Sequence, residues 1–433
     1  MSSRPPTTSP PDFRSRSFLR LHILDVLKFY DVRCVDETGG FFQNFLDDGT
    51  VVNKGNRHLV GSARLVVNFA IAARLYGDAQ WQGIARHGLR FLQDVHRDPI
   101  TGAYAWEIEW DQGVKKVVDE SDRCYGLAFV LLALAHSARA GIREASAEIP
   151  VVYARLERDF WEPSQQLYAD QIDKPGAGLS PYRSQETNMR VCEALIAAYE
   201  ATSDAKFIDR AMTVADSVTR GLARFSGGMI WEHYRADPST GQWTPDWTYN
   251  RHDPANPYQP CGFEPGHHCE WAKLLLVLER LRPEPWLLVR ARELFAAGTE
   301  DSWDPVNGGL AHVLVVDDDN PGQLKVASST KYFWAQAEAI AASALLALRT
   351  ADKAYWDWYD RLWAYSWDHF VDHAHGAWYR VLDAQNQRLG NSKGLAEEVD
   401  YHTMGACYEI WSAIALDPRR VPQGAKPPPQ AAG

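Results

Sequence analysis

Apolar residues along this chain recur every three to four positions, the period of one helix face. Leu59, Ala63, Val66, Val67 and Ala70 share such a face, as do Leu127, Val130, Leu131, Leu134 and Ala135. Residues 335–348 are alanine-rich and have strong intrinsic helix preference. Strand-like runs are short and few. Between the helical segments one kind of punctuation returns: Gly39-Gly40-Phe41-Phe42, Gly102-Ala103-Tyr104, Gln166-Leu167-Tyr168, Gly227-Gly228-Met229, Gly308-Gly309-Leu310 and Gly376-Ala377-Trp378. The interval is roughly 65 residues, longer before Gly308, which marks an array of similar units.

Each unit has room for a hairpin of two helices of about 15–20 residues and a brief β excursion. Six hairpins closed on themselves give an all-α (α/α)6 barrel, with six inner helices, six outer ones and short β excursions at the mouth. An open solenoid of stacked hairpins would need polar capping faces at its ends. The first and last hairpins are as apolar as the middle ones, so closure is expected. Residues 13–416 are expected to form this barrel as a single domain. Residues 1–12, rich in Ser, Pro and Thr, and 417–433, with Pro427, Pro428 and Pro429, read as disordered tails.

Composition removes several function classes. The 433 residues are 45% hydrophobic and 23% charged, an ordinary globular balance with chain enough for a large core. A net charge of −11, with no basic cluster beyond pairs such as Arg419-Arg420, argues against a nucleic-acid partner. No run reaches the roughly 18 apolar residues of a membrane span, and no signal-peptide core is seen, so no membrane partner is expected. Six cysteines (Cys34, Cys124, Cys192, Cys261, Cys269, Cys407) are scattered without a C-x-x-C pair, which fits a reduced cytoplasmic protein, monomeric or homodimeric.

In a closed barrel of hairpins the inner helices run one way and their N-termini meet at one mouth. The expected starts read Arg57-His58…Arg64, Asp122-Arg123…Tyr125, Tyr182-Arg183…Glu186…Asn188…Arg190, Glu264-Pro265-Gly266-His267-His268-Cys269-Glu270, Lys331-Tyr332…Trp334…Gln336…Glu338 and Glu398-Val399-Asp400-Tyr401-His402. Helix N-termini carry partial positive charge, which favours an anionic intermediate nearby. Taken singly these residues have plain readings: Arg64 as an ion-pair partner, His267 paired with Glu270 one turn on, His402 as a satisfied core histidine. Two histidines converging beside Glu270 and Arg64 point instead to acid–base chemistry. Glu186, Asn188, Arg190 and Tyr258 are expected to bind substrate, and a rim aromatic such as Trp334 suits stacking on a sugar ring. The segment from about residue 227 to 263 is rich in aromatics, among them Trp231, Tyr234, Trp243, Trp247, Tyr249 and Tyr258. It has little helical period and is expected to cover the mouth beside His267.

His267, His268 and Glu270 with His402 could in principle supply a zinc set. Adjacent histidines point to different helix faces, and H-E-x-x-H is absent, so no metal is expected. The G-x-S-x-G elbow, the phosphate loop and the dinucleotide fingerprint are absent as well, and no cofactor is expected.

The segments Arg57-His58-Leu59-Val60-Gly61-Ser62-Ala63-Arg64, Pro265-Gly266-His267-His268-Cys269-Glu270-Trp271, Lys331-Tyr332-Phe333-Trp334-Ala335-Gln336-Ala337-Glu338 and Asp400-Tyr401-His402 resemble the N-acylglucosamine 2-epimerase superfamily. These are (α/α)6-barrel sugar isomerases and epimerases, and the likeness is greatest to the mannose isomerase branch, related to sulfoquinovose isomerase. It covers about residues 12–416. The resemblance implies that His267 and His402 form an acid/base pair at the C1–C2 edge of a free monosaccharide. It implies that Glu270 orients His267, that Arg64 contacts the oxygen that becomes anionic, and that Tyr125, Trp334 and Glu398 line the sugar site. Isomerases of that branch carry N-x-N-M-H where this chain reads Glu186-Thr187-Asn188-Met189-Arg190. Glu186 or Arg190 would then bind substrate or replace the missing histidine. The expected activity is interconversion of D-mannose and D-fructose, with a sugar 2-epimerase using the same two histidines as the alternative. An inverting glycosidase built on Glu270 and Glu398, and a non-catalytic helical-repeat protein, are the readings from other classes.

Overall fold

The described residues form twelve α-helices: α1 (Arg16–Tyr30), α2 (Leu59–Tyr76), α3 (Ala79–Phe91), α4 (Cys124–Arg139), α5 (Arg143–Asp159), α6 (Gln185–Thr202), α7 (Ala205–Asp216), α8 (Pro265–Leu281), α9 (Pro285–Thr299), α10 (Phe333–Thr350), α11 (Lys353–His369) and α12 (Tyr401–Leu416). They belong to a computed structural model that describes residues 10–416 apart from 32, 175, 254, 255, 318 and 321. Nearly all of the two expected tails (1–9 and 417–433) lies outside the described residues.

The even-numbered helices form the inner ring. Each packs on the next, and α12 packs back on α2, so the ring is closed rather than an open solenoid. α3, α5, α7, α9 and α11 each cover the inner helix before them, and α1 covers α12. Burial follows this division. α2 is buried without interruption from Leu59 to Ala73, whereas α7 buries one stripe, Phe207, Ile208, Ala211, Val214 and Ala215. The 18 residues of α2, with mean hydropathy 1.3, are long and apolar enough to cross a membrane by length and composition alone, although Ser62, Arg64, Asn68 and Arg74 interrupt the apolar run. An inner helix meets protein on every side, and 83% of α2 is buried within the barrel.

The recurring punctuation is the turn that ends each hairpin connection. Gly40, Gly102, Gln166, Gly227, Gly308 and Gly376 all have φ between 56° and 85°, the left-handed region that glycine enters without strain. Antiparallel pairs flank five of these turns: Val35 with Phe41, Arg97 with Tyr104, Trp161 with Tyr168, Trp303 with Leu310, and Val371 with Trp378. The strand that follows then ties itself to an inner helix. The carbonyls of Trp106, Asp170, Glu232 and Arg380 accept the first N–H of α2, α4, α6 and α10, from Leu59, Cys124, Gln185 and Phe333, at 2.8–3.2 Å. Such N–H groups have no partner inside the helix. Four excursions therefore each cap an inner helix.

The seam between first and last helices is held by a buried polar knot. The Tyr30 hydroxyl donates to Asp400 Oδ2 (2.6 Å), and Arg380 donates to the same oxygen (2.6 Å) and to the Tyr30 oxygen (2.7 Å). Asp400→Ala leaves the Arg380 guanidinium buried without its counter-charge. It is expected to lower unfolding free energy by about 3–5 kcal/mol in denaturant titration; a loss below about 1 kcal/mol would show that this knot does not hold the seam.

Candidate active site

The inner helices bring one side chain after another to a cavity of about 70 Å³ at their N-terminal ends. Its wall includes Arg64 from α2, Tyr125 from α4, Glu186 and Arg190 from α6, His267 from α8, Trp334 from α10 and His402 from α12. Glu264 and Glu398 complete it from the residues just before α8 and α12. A polar vestibule of about 340 Å³ shares Tyr125, Glu186, Tyr258 and Glu397 with it.

Both histidines sit in the first turn of their helices and flank Trp334. Ring centroids are 5.0 Å apart for His267 and Trp334, and 5.9 Å for Trp334 and His402. Trp334 reaches this position because residue 266 is glycine: a Cβ there would lie 2.3 Å from the indole.

His267 stands among carboxylates. Its Nδ1 is 2.9 Å from Glu232 Oε2 and 3.6 Å from Glu264 Oε1, and its Nε2 is 3.8 Å from Glu186 Oε1. Burial alone would discharge the ring, but Glu264, Glu232 and Glu186 overcome it and push the imidazole up to about 10. Glu232 is held by the Gln185 amide (2.7 Å), which in turn accepts from the Trp271 indole (2.6 Å).

His402 is treated in the opposite way. Burial lowers it first, and Arg64, Arg190 and Lys273 add to this against Glu270, so the ring stays neutral well below its usual value. Its Nδ1 is 2.7 Å from Glu338 Oε1, and Glu338 Oε2 is 2.7 Å from Lys273 Nζ. Burial and Glu270 push the Glu338 carboxyl up to about 8, although Lys273, at its second oxygen, pulls against them. With an ammonium at its other oxygen, Glu338 acts as acceptor for Nδ1–H, which leaves Nε2 as the basic nitrogen.

Several expectations are corrected here. Glu270 does not orient His267. It is fully buried, clamped by both terminal nitrogens of Arg190 and 3.6 Å from Lys273, and these cations hold it well below the usual carboxylate range despite burial. Three residues along the helix from His267, it turns to Arg190 and Lys273, and Glu232 is the carboxylate beside His267 Nδ1. Asn188, expected to bind substrate, is not on the cavity wall. Its amide donates to the Tyr168 and Ser184 carbonyls (3.0 and 3.2 Å) and accepts from Tyr168 N–H (2.8 Å), standing in for a peptide group as Gln336 does for Leu310. Arg190 lines the cavity, but its terminal nitrogens are engaged by Glu270.

Arg64, Tyr125, Glu186, Tyr258, Trp334 and Glu398 are all on the cavity wall. Arg64 donates to the Glu397 carbonyl (2.9 Å) and lies over the rings of Phe129 and Tyr401. The aromatic segment does reach the mouth, through Pro257, Tyr258 and Gln259. It also contains a hairpin, His233–Ala236 with Trp243–Pro245, that extends the strand Tyr182–Ser184 before α6. Glu232 was missed from sequence, although a signal existed: it occupies the capping position shared with Trp106, Asp170 and Arg380.

Among the described residues, two sets of groups place metal-ligand atoms within 4.8 Å of one another: Glu232, Glu264 and His267, and Glu270, Glu338 and His402. The first already surrounds an imidazolium, and the second is balanced by Arg190 and Lys273. His268 has no free nitrogen for a metal, since Nδ1 bonds the Glu264 carbonyl and Nε2 accepts from Ile230 N–H.

The chain matches the family model described as N-acylglucosamine 2-epimerase (GlcNAc 2-epimerase) over residues 40–406. It is 42% identical over 409 residues to a D-mannose isomerase of Marinomonas mediterranea, covering 94% of this chain and 100% of that one. It is 34% identical over 324 residues to a D-mannose isomerase of Thermobifida fusca, covering 73% and 75%. A crystal structure of D-mannose isomerase superposes with a TM-score of 0.88 at 42% identity, over 93% of this chain and 100% of that one. With the barrel, the paired histidines and these likenesses together, the chain belongs to the N-acylglucosamine 2-epimerase family.

Proposed function

We propose that this protein is an aldose–ketose isomerase that interconverts free D-mannose and D-fructose through an enediolate. The observation that carries the reading is a pair of histidines on one cavity wall, one kept neutral by burial and nearby cations, the other kept charged by carboxylates. Environments that split two titratable groups in this way assign an acid and a base. The 42% identity to a D-mannose isomerase over nearly the whole chain supplies the substrate. The six cysteines, all unpaired and buried, fit a reducing compartment such as the cytoplasm.

The proton on C2 of an open-chain aldose is weakly acidic because the neighbouring carbonyl accepts the charge. Neutral His402 removes it through Nε2, with Glu338 fixing the ring and stabilising the imidazolium that forms. Negative charge develops on the oxygen at C1, where Arg64 and the imidazolium of His267 supply positive charge. Return of the proton to C1 from His402 gives the ketose. The flanking of Trp334 by the two histidines also favours a second reading, in which His267 donates to the opposite face of C2 and yields the epimer. Glu270 is unavailable as a glycosidase acid, because Arg190 and Lys273 hold it ionised.

Incubation with D-mannose in D2O, followed by NMR, is expected to show fructose as first product, with label entering at the exchanging carbon. Glucose without fructose would establish the 2-epimerase instead. His402→Asn should cost about 10²–10⁴ in fructose formation; near-normal rates in a folded variant would overturn the assignment of the base. His267 must be protonated to act, so its own deprotonation should add an alkaline limb near pH 10, beyond any limb set by the cavity carboxyls. Glu232→Gln removes the charge beside Nδ1, favours the neutral ring and should move this alkaline limb of kcat/KM to lower pH. An unmoved limb would separate Glu232 from the acid.

A further inference from the structure

Isomerisation relocates two protons, one from C2 to C1 and one from O2 to O1. His402 serves the carbons. The group serving the oxygens must stand on the cavity wall, gain and lose a proton readily, and reach O1 and O2 in turn. Arginine side chains do not release protons under these conditions, which removes Arg64 and Arg190. Burial raises the Tyr125 phenol far above its usual value, and its hydroxyl is already 3.2 Å from Glu186 Oε1. His267 is held as an imidazolium by Glu232 and Glu264. Among the described residues, neither Glu397 nor Glu398 makes an ion-pair contact with His267 or His402; Glu397 lies 3.9 Å from His58 instead.

Glu186 differs from all of these. It opens the first turn of α6, belongs to both the inner cavity and the vestibule, and brings Oε1 to 3.8 Å from His267 Nε2. That separation is too long for a direct hydrogen bond, and it leaves room for one sugar oxygen to bond with both groups. We propose, resting on the isomerase reading above, that Glu186 is a third catalytic residue that carries the proton between O2 and O1 of the enediol. Burial supports this by lifting its carboxyl to about 7 in spite of His267 and Arg190, so acid and carboxylate forms are both accessible near neutral pH.

The steps balance. His402 takes the C2 proton, the C2–H pair becomes the C1–C2 double bond, and the carbonyl pair moves onto O1. The Glu186 carboxyl protonates O1. The resulting carboxylate then takes the O2 proton, the O2–H pair forms the C2 carbonyl, and the double-bond pair takes the proton held by His402 at C1. Glu186 and His402 both return to their starting states, and no other reactant is consumed.

Glu186→Gln keeps the shape and the hydrogen bonding but cannot carry a proton. In D2O with D-mannose, the variant should form fructose about 10²-fold more slowly, while deuterium uptake at C2 of recovered mannose falls far less. The enediolate still forms and collapses back. The ratio of C2 exchange to fructose formation should therefore rise by at least about tenfold over wild type. This ratio is independent of the folded fraction, so a merely structural role would not move it. A ratio within a few-fold of wild type, whether both rates fall together or neither falls, overturns the proposal for Glu186. Absence of fructose with the wild-type enzyme would instead overturn the isomerase reading itself.

Discussion

A row of buried charge crosses the interior of the ring, and the chemistry at the mouth depends on it. Arg190 on α6 clamps Glu270 on α8; Lys273, one turn further along α8, contacts Glu270 and Glu338; and Glu338 on α10 holds His402 on α12. Charges taken out of water are costly unless each finds a partner with good geometry. Here the partners come from four consecutive inner helices, so the row is satisfied only when those helices are neighbours in the ring. It ties packing to function. The same ion pairs that reconcile the helices with a dry interior set the electrostatic field in which His402 stays neutral.

His402 and His267 show how far the surroundings govern a side chain. Both are buried, both sit in the first turn of an inner helix, and both flank Trp334. Burial, reinforced by Arg64, Arg190 and Lys273, discharges the first, carboxylates hold the second charged, and the two rings move in opposite directions from the same starting value. A weak base ready to accept a proton and an acid ready to stabilise charge thus arise from one residue type.

Repetition supplies the scaffold, and departures from it supply the site. The turn at positive φ, the strand after it and the carbonyl that caps an inner helix recur around the ring. At the capping residue the backbone does the same work each time, which frees the side chain to vary. Trp106 and Asp170 line the vestibule, Glu232 orients His267, and Arg380 locks the seam to Tyr30 and Asp400. Amide side chains such as Asn188 and Gln336 belong to the scaffold, although they sit among the site residues in sequence.

By itself the sequence determined the repeated helical hairpins, their closure and the residues that open each inner helix. These follow from local periods, turn residues and the apolar balance of the end units, all of which can be read along a line. His267, His402, Arg64 and Trp334 were legible because helix starts in such a ring must converge. What only the tertiary structure decided is which carboxylate serves which histidine. Glu270 stands three residues from His267 and turns away to Arg190, while Glu232 arrives from 35 residues upstream. Partnership across a barrel depends on the rotation of each helix about its own axis, which is set by the packing of all its neighbours at once, and a linear spacing rule has no access to that rotation.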